Sequence, residues 1–201
     1  MKVFIDLFSG LGGAAQAFDD DPSWTTIKID NNEELVELNR GLIIMDLAQV
    51  DEVLHALILM LHRIDDEHGV EKVVLWMSPP CNQFSLANRN RPDEPDLTLL
   101  DACLEYVHRL NTDYWVIENV HGAKPTFTEE IGHTPTQEIG PVVLWGHFPL
   151  IPIRTRDEWK HRKMEAKGSR TLRPNYRALI PYPISEGLRD CIDHQQTLDK
   201  Y

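Results

Sequence analysis

Val73-Val74-Leu75-Trp76-Met77-Ser78-Pro79-Pro80-Cys81-Asn82-Gln83-Phe84-Ser85 is the stretch that decides the fold. Five apolar residues in a row predict a strand covered on both faces, as in a parallel sheet. A Pro-Pro pair cannot continue a central strand, so the backbone leaves the sheet at Pro79. Cys81 then falls on a loop at the carboxyl end of a strand. In open α/β sheets that edge is where ligands bind. A cysteine placed there points to a nucleophile rather than to packing.

Outward from this stretch, strand and helix patterns alternate. Strands are predicted over Val3–Leu7, Thr25–Ile29, Leu42–Met45, Val73–Met77 and Tyr114–Ile117. Helical spacing opens at Gly13–Phe18 and recurs over Glu33–Asn39, Val50–Asp65 and Leu97–Leu110. This order predicts a doubly wound, mostly parallel sheet with helices on both faces. After Val120 turn residues become frequent. Val142–Trp145 and Leu150–Ile153 look like short strands, and Pro183–Ile192 like a closing helix. Asn88 to Pro95 forms a polar loop.

The first strand runs into Asp6-Leu7-Phe8-Ser9-Gly10-Leu11-Gly12-Gly13-Ala14-Ala15. Gly10, Gly12 and Ala15 match G-x-G-x-x-A, and Asp30 follows about 20 residues later at the end of the second strand. Glycines allow a tight turn and close approach to a ligand, and an acid in that place accepts from ribose hydroxyls. A nicotinamide dinucleotide and S-adenosylmethionine both satisfy the pattern. Asp46, ending the third strand, suits either an adenine amino group or a cap on the next helix. Glu118, in Trp115-Val116-Ile117-Glu118-Asn119-Val120, ends another strand on the same edge as Cys81. A carboxyl facing an apolar pocket has a raised pKa and can donate a proton.

The 201 residues suffice for one domain, 1–201, with a single core. Hydrophobic content of 42% and charged content of 26% are ordinary for a soluble globular chain. His55 interrupts Val53–Leu61, the longest apolar-rich segment, so no membrane span is predicted, and the first residues lack a signal-peptide pattern. Cys81, Cys103 and Cys191 form no CxxC pair and no zinc spacing, which predicts no metal site and fits a reducing cytoplasm. Cys103, within a helical pattern, reads as a core residue.

Net charge is −12, which argues against general affinity for nucleic acid. Its distribution is uneven. Arg154, Arg156, Lys160, Arg162, Lys163, Lys167, Arg170, Arg173 and Arg177 are nine of the 20 basic residues, set against only three acids between them. The strip suits either a solvated loop or phosphate contacts.

Three segments together resemble the C5-cytosine methyltransferases. Asp6 to Gly13 resembles that family's first cofactor motif, D-L-F-[SA]-G-x-G-G. Ser78 to Ser85 is similar to its catalytic motif around P-C-Q. Glu118-Asn119-Val120 matches its E-N-V motif, and Arg154-Thr155-Arg156 resembles the R-x-R of Q-x-R-x-R. The likeness covers about the first 156 residues. It implies a Rossmann-like S-adenosylmethionine-dependent methyltransferase fold and a covalent reaction at cytosine. Cys81 would add to C6, Glu118 would bind the N3 edge, and Arg154 and Arg156 would orient the base. Phe8, Ser9, Gly10, Leu11, Gly12 and Gly13 would cradle the cofactor, with Asp30 and Asn31 at its ribose, Asp46 and Leu47 near adenine, and Pro80 beside it. Lys160, Arg162, Lys163, Lys167, Arg170 and Arg173 would contact nucleic-acid phosphates. A base within a duplex must be flipped out to reach Cys81.

Departures accompany the likeness. Asn82 stands where the family has Gln, Ser78 where it has Gly, and Pro152 where it has the Gln of Q-x-R-x-R. Only the basic stretch stands where a target-recognition region is expected, and Tyr176 to Ser185 does not match the usual closing segment. The compact layout resembles methylase-like proteins of some bacteriophages. DNA is the expected partner, read with few base contacts or through a separate recognition protein. Since one branch of the family methylates tRNA, RNA is a close variant, and a free nucleotide is a third. A nicotinamide-dependent oxidoreductase explains the glycine loop but not Cys81 with Glu118. An amino-group methyltransferase would carry an aromatic residue in place of Cys81. A catalytically silent binding protein would be indifferent to Cys81→Ser.

Overall fold

The computed structural model describes residues 1–153 and 172–198, the last four as backbone only. One seven-stranded sheet organises them. Its strands are β1 (Lys2–Leu7), β2 (Trp24–Asp30), β3 (Leu42–Ile44), β4 (Lys72–Met77), β5 (Tyr114–Val120), β6 (Gln137–Ile139) and β7 (Val142–His147). Their order across the sheet is β3-β2-β1-β4-β5-β7-β6. All run parallel except β7, which is antiparallel to both β5 and β6. The helices are α1 (Gln16–Asp19), α2 (Val50–His68), α3 (Thr98–Arg109), α4 (Lys124–Ile131), α5 (Arg173–Ala178) and α6 (Tyr182–Leu198).

The apolar runs of β1 and β4 split between two cores because successive strand residues face opposite sides. Val3, Ile5, Leu7, Val73, Leu75 and Met77 pack against Val53, Leu54 and Leu57 of α2 and Leu100, Cys103 and Tyr106 of α3. Phe4, Val74 and Trp76 face the other way, onto Phe18 of α1 and Ile184, Leu188 and Ile192 of α6. Cys103 is fully buried, as its helical setting predicts.

Some elements differ from the sequence-based expectation. Helix α1 starts at Gln16, not Gly13, because residues 10–15 form turns. The helix expected over Glu33–Asn39 shortens to a 3-10 turn at Glu33–Leu35. Asn39 is drawn inward instead, 3% exposed, where its Nδ2 donates to Ser9 Oγ and to the Gly10 carbonyl, both at 3.1 Å. Leu150–Ile153 is not a strand. The Gln137 side chain takes the place of a ladder there: its Oε1 accepts from Ile151 N and its Nε2 donates to Ile151 O, each at 2.8 Å. Helix α4 lies in a segment that sequence alone reads as turns. Pro125 is harmless at its start, and Gly132 ends it in the left-handed conformation, φ 84°.

Candidate active site

β1 lies between β2 and β4, and the chain leaves it in one direction to β2 and β3 and later in the other to β4. The loops after β1 and β4 therefore diverge at the carboxyl edge and leave a crevice, the switch point of a doubly wound sheet. Leu7 pairs with Met77 at that edge, and Ser78 N donates to Leu7 O at 3.2 Å. The glycine loop and the cysteine loop are thus adjacent.

Phe8, Gly10 and Gly12 all have positive φ, 59°, 55° and 76°. A phenylalanine in that region costs on the order of 1–3 kcal/mol and persists only where its surroundings enforce it. Two side chains brace this turn. Asp30 Oδ2 accepts from Gly10 N at 2.8 Å, while Asn39 holds the Gly10 carbonyl. The other Asp30 oxygen accepts from Asn32 N at 2.9 Å. Each carboxylate oxygen retains a second lone pair for a ligand hydroxyl. Asn31 is exposed beside it. Asp46 is exposed, and its Oδ1 accepts from Ala48 N at 3.0 Å, a turn that leads into α2. The Leu47 side chain lies in the core, and its carbonyl accepts from Tyr106 Oη at 2.8 Å.

Asn119 positions the cysteine loop. It is 1% exposed, and its Nδ2 donates to Pro79 O at 2.9 Å. The side chain after Glu118 thereby fixes the backbone two residues before Cys81. The far end of the loop is held by Phe84, which packs edge-to-face on Phe127 with centroids 5.1 Å apart. Gly122 lies against this loop so closely that a Cβ would meet Phe84 O at 2.0 Å. Cys81 O accepts from Phe84 N and Ser85 N, closing the turn. Pro79 is buried, Pro80 exposed and Cys81 partly exposed. Burial pushes the Cys81 thiol above its ordinary pKa, and the Glu118 carboxylate adds to the rise. Strand register agrees with this: Met77, four residues before Cys81, pairs with Ile117, the residue before Glu118.

The departure at Ser78 has a local explanation, and the loop after Cys81 is tied by its own side chains. Ser78 Oγ accepts from the buried indole Nε1 of Trp76 at 2.7 Å. The Asn82 carbonyl accepts from Asn88 Nδ2 at 2.8 Å, and Gln83 Oε1 accepts from Asp96 N at 2.6 Å.

The C-terminal segment closes the back of the glycine loop. A Cβ on Gly13 would lie 2.6 Å from Ile180 O, so only glycine admits this approach. Buried Ser185 donates to Ala14 O at 2.6 Å and accepts from Ala17 N at 3.0 Å. Arg189 donates to Ala17 O at 2.9 Å, and Lys2 pairs with Asp193 at 2.6 Å. Asn39, Asn119 and Ser185 are contributions that sequence reasoning missed. Asn119 alone carried a signal, through its place beside Glu118.

Arg154, Arg156, Lys160, Arg162, Lys163, Lys167 and Arg170 lie outside the described residues. Arg173 is exposed at the start of α5. Among the described residues no group of side chains could hold a metal ion, and no helix is long and apolar enough to cross a membrane.

The sheet order and the reversed β7 define a Rossmann-like, doubly wound protein. A family model described as C-5 cytosine-specific DNA methylase matches residues 2–134, and the chain belongs to that family. No curated protein matches it. Among solved structures it is similar to the Entamoeba histolytica methyltransferase EhMeth, with 16% identity and TM-score 0.49 over 78% of this chain and 56% of that one. It is also similar to a triple-alanine mutant of Spodoptera frugiperda DNMT2, with 17% identity and TM-score 0.44 over 79% of this chain and 54% of that one. The chain thus covers just over half the length of these two proteins.

Proposed function

We propose that this chain transfers a methyl group from S-adenosylmethionine to C5 of cytosine in DNA through a covalent adduct at Cys81. The observation that supports this reading is that Cys81 and Glu118 follow the register partners Met77 and Ile117 on neighbouring strands, next to the braced glycine loop.

The residues present fit the cofactor. The positive-φ turn from Phe8 to Gly12 offers close backbone approach, Asp30 keeps acceptor capacity for ribose, and Asp46 is open for adenine. When bound, the cofactor supplies an electrophilic methyl group. Cytosine must supply electron density at C5, which the free ring lacks. Addition of the Cys81 thiolate to C6 provides it. Glu118 holds the N3 edge, and the proton that the Cys81 thiol gives up is the one that N3 gains in the adduct. A base bound there also shares the Glu118 charge that otherwise disfavours the thiolate, so substrate binding itself eases ionisation of Cys81. C5 then takes the methyl group, loss of the C5 proton to solvent expels Sγ from C6 as thiolate, and N3 gives up its added proton, which restores the neutral aromatic ring and the free cysteine.

Arg154 and Arg156 orient the base in this reading. Lys160, Arg162, Lys163, Lys167, Arg170 and Arg173 neutralise phosphates, which position a polymer without reading its sequence. Target choice then falls to few direct contacts or to a separate recognition protein.

The test is expression of the chain and of its Cys81→Ser variant in a methylation-deficient bacterium. 5-Methylcytosine is then measured in hydrolysed DNA and RNA by mass spectrometry. The expected result is a DNA signal that the variant lacks. A signal confined to RNA overturns the DNA assignment, and a signal that survives the substitution removes Cys81 from the mechanism.

A further inference from the structure

Cys81 sits on a stretch that leaves the core with β4 and rejoins it with α3. Met77 at one end and Leu100, Cys103 and Tyr106 at the other belong to the same buried cluster. Between them the chain makes two turns. Cys81 O accepts from Phe84 N at 3.0 Å and from Ser85 N at 2.9 Å, and Ser85 O accepts from Asn88 N at 2.9 Å. Asn88 Nδ2 reaches back to Asn82 O at 2.8 Å. These bonds lie inside the loop, so they give it a shape without fixing it to the body. Phe84, packed on Phe127, is its apolar anchor. One polar side chain reaches out toward α3. Gln83 Oε1 accepts from Asp96 N at 2.6 Å, across 13 residues. Asp96 is itself fixed to α3, since its Oδ1 accepts from Thr98 N at 2.9 Å and from Thr98 Oγ1 at 2.6 Å. Residues 84–95, with Leu86 70% exposed and Arg89 and Arg91 also exposed, thus form a loop closed at its neck by one amide.

We propose that Gln83 is a positioning residue for Cys81: its amide oxygen ties the cysteine turn to the start of α3 and holds Sγ against motion of the exposed loop beyond it. This role rests on the reaction reading above. Gln83 stands inside the turn that Cys81 O closes, so a restraint on its side chain acts on the backbone that carries Sγ. A helix packed into the core gives that turn a rigid support, which a loop alone does not. The ring of Phe84 fills space, whereas a hydrogen bond also fixes direction. A backbone N–H can only donate, so the tether needs an oxygen on the side chain. The Gln83 Nε2 has no partner among the described residues. The motif that this stretch resembles places glutamine directly after the cysteine. Here that place holds the exposed Asn82, and the glutamine that is engaged comes one residue later.

The test compares the full chain with Gln83→Met, which keeps the length and loses the acceptor, and with Gln83→Glu, which keeps it. Methyl transfer to DNA is measured alongside binding of sinefungin, an unreactive analogue of S-adenosylmethionine in which an amine-bearing carbon replaces the methylated sulfur. Iodoacetamide labelling of Cys81 is followed in the free protein by mass spectrometry of its peptide. Gln83→Met should lower kcat about tenfold, with KM for DNA and sinefungin affinity within about twofold of wild type. Its Cys81 should label about threefold faster or more, because a loosened turn exposes a thiol whose ionisation burial otherwise opposes. The two changes have opposite sign. A side chain needed only for stability moves neither in the folded protein, and one that touches the base slows methyl transfer without quickening labelling.

Gln83→Glu should hold kcat within about threefold of wild type, since a carboxylate oxygen accepts the same bond. Its charge acts on the thiol directly, so this variant is read by kcat alone. Wild-type kcat in Gln83→Met overturns the inference and leaves the reaction reading standing. So does a tenfold loss shared by Gln83→Glu, or a loss of kcat in Gln83→Met with unchanged labelling. A wild-type chain that transfers no methyl group overturns the reaction reading, and the labelling rates then decide the tether by themselves.

Discussion

Asn119→Ala separates the positioning of Cys81 from its chemistry. The amide is 1% exposed and donates to Pro79 O at 2.9 Å, so its loss leaves a buried carbonyl without its donor. Such a loss costs about 1–3 kcal/mol. For a chain of this length that corresponds to a fall in Tm of roughly 2–12 °C. The catalytic consequence is larger than the stability cost implies. The bond fixes the loop two residues before Cys81, and a nucleophile displaced by about 1 Å loses about a hundredfold in rate. Urea unfolding of both proteins should show a lower midpoint at an unchanged m-value. Methyl transfer should show kcat reduced by one to two orders of magnitude, while affinity for the cofactor analogue stays within about twofold. Asn119→Asp is the sharper companion, since it keeps the shape and turns an acceptor toward the Pro79 carbonyl. Normal kcat in a destabilised Asn119→Ala protein refutes the argument, because the loop would then hold Cys81 in place without the amide.

Glu118→Gln removes the charge that raises the Cys81 thiol, while burial, the larger cause, remains. Thiolate is the reactive form, so iodoacetamide labelling of Cys81 in the free protein should be slow at neutral pH and climb with pH. The variant should label faster at every pH below the wild-type thiol pKa. Mass spectrometry of the Cys81 peptide reads this directly, and equal rates refute electrostatic contact between the pair. Methyl transfer should nevertheless collapse in the same variant, because the amide cannot stabilise an N3-protonated base. Ser185→Ala strips a buried hydroxyl from Ala14 O and Ala17 N. It should cost roughly 1–3 kcal/mol in urea unfolding. It should also weaken sinefungin binding, since Ile180 would no longer be held against Gly13; unchanged affinity refutes a role for the C-terminal segment in shaping the loop.

What the sequence makes legible is what short-range physics decides. Val3–Leu7 and Val73–Met77 announce buried strands because both faces of the sheet are covered, so apolar residues alternate between two cores with Asp6 the single polar exception in the two runs. Pro79-Pro80 ends one strand and the turn from Phe8 to Gly12 ends the other. Both candidate loops therefore fall on one edge, and strand order brings them together at the β1–β4 switch point. Sequence conceals the contacts that close over long separations. Gln137 replaces the ladder of a would-be strand at Ile151, so an apolar run that looks like β-structure makes no strand at all. Asn39 ends a helical pattern by periodicity, but two buried bonds to the glycine loop outweigh that propensity. Ser185 reaches Ala14 across most of the chain, and no local pattern encodes a hydroxyl whose partners lie that far away.

The same contrast explains why the site is built from motif residues and its rigidity from unremarked ones. Cys81, Glu118 and Asp30 can be picked out by type and spacing, since chemistry restricts which side chains serve there. Asn119, Asn39 and Ser185 each hold a backbone group whose position matters, and many side chains could in principle hold a carbonyl. Their roles become visible only when the loops they brace are brought together by the sheet. Substitution at Cys81 or Glu118 should abolish chemistry and spare the fold, while substitution at Asp30, which also braces the glycine loop, should lose both. Substitution at the second set should damage both, in proportion to how far each loop then moves.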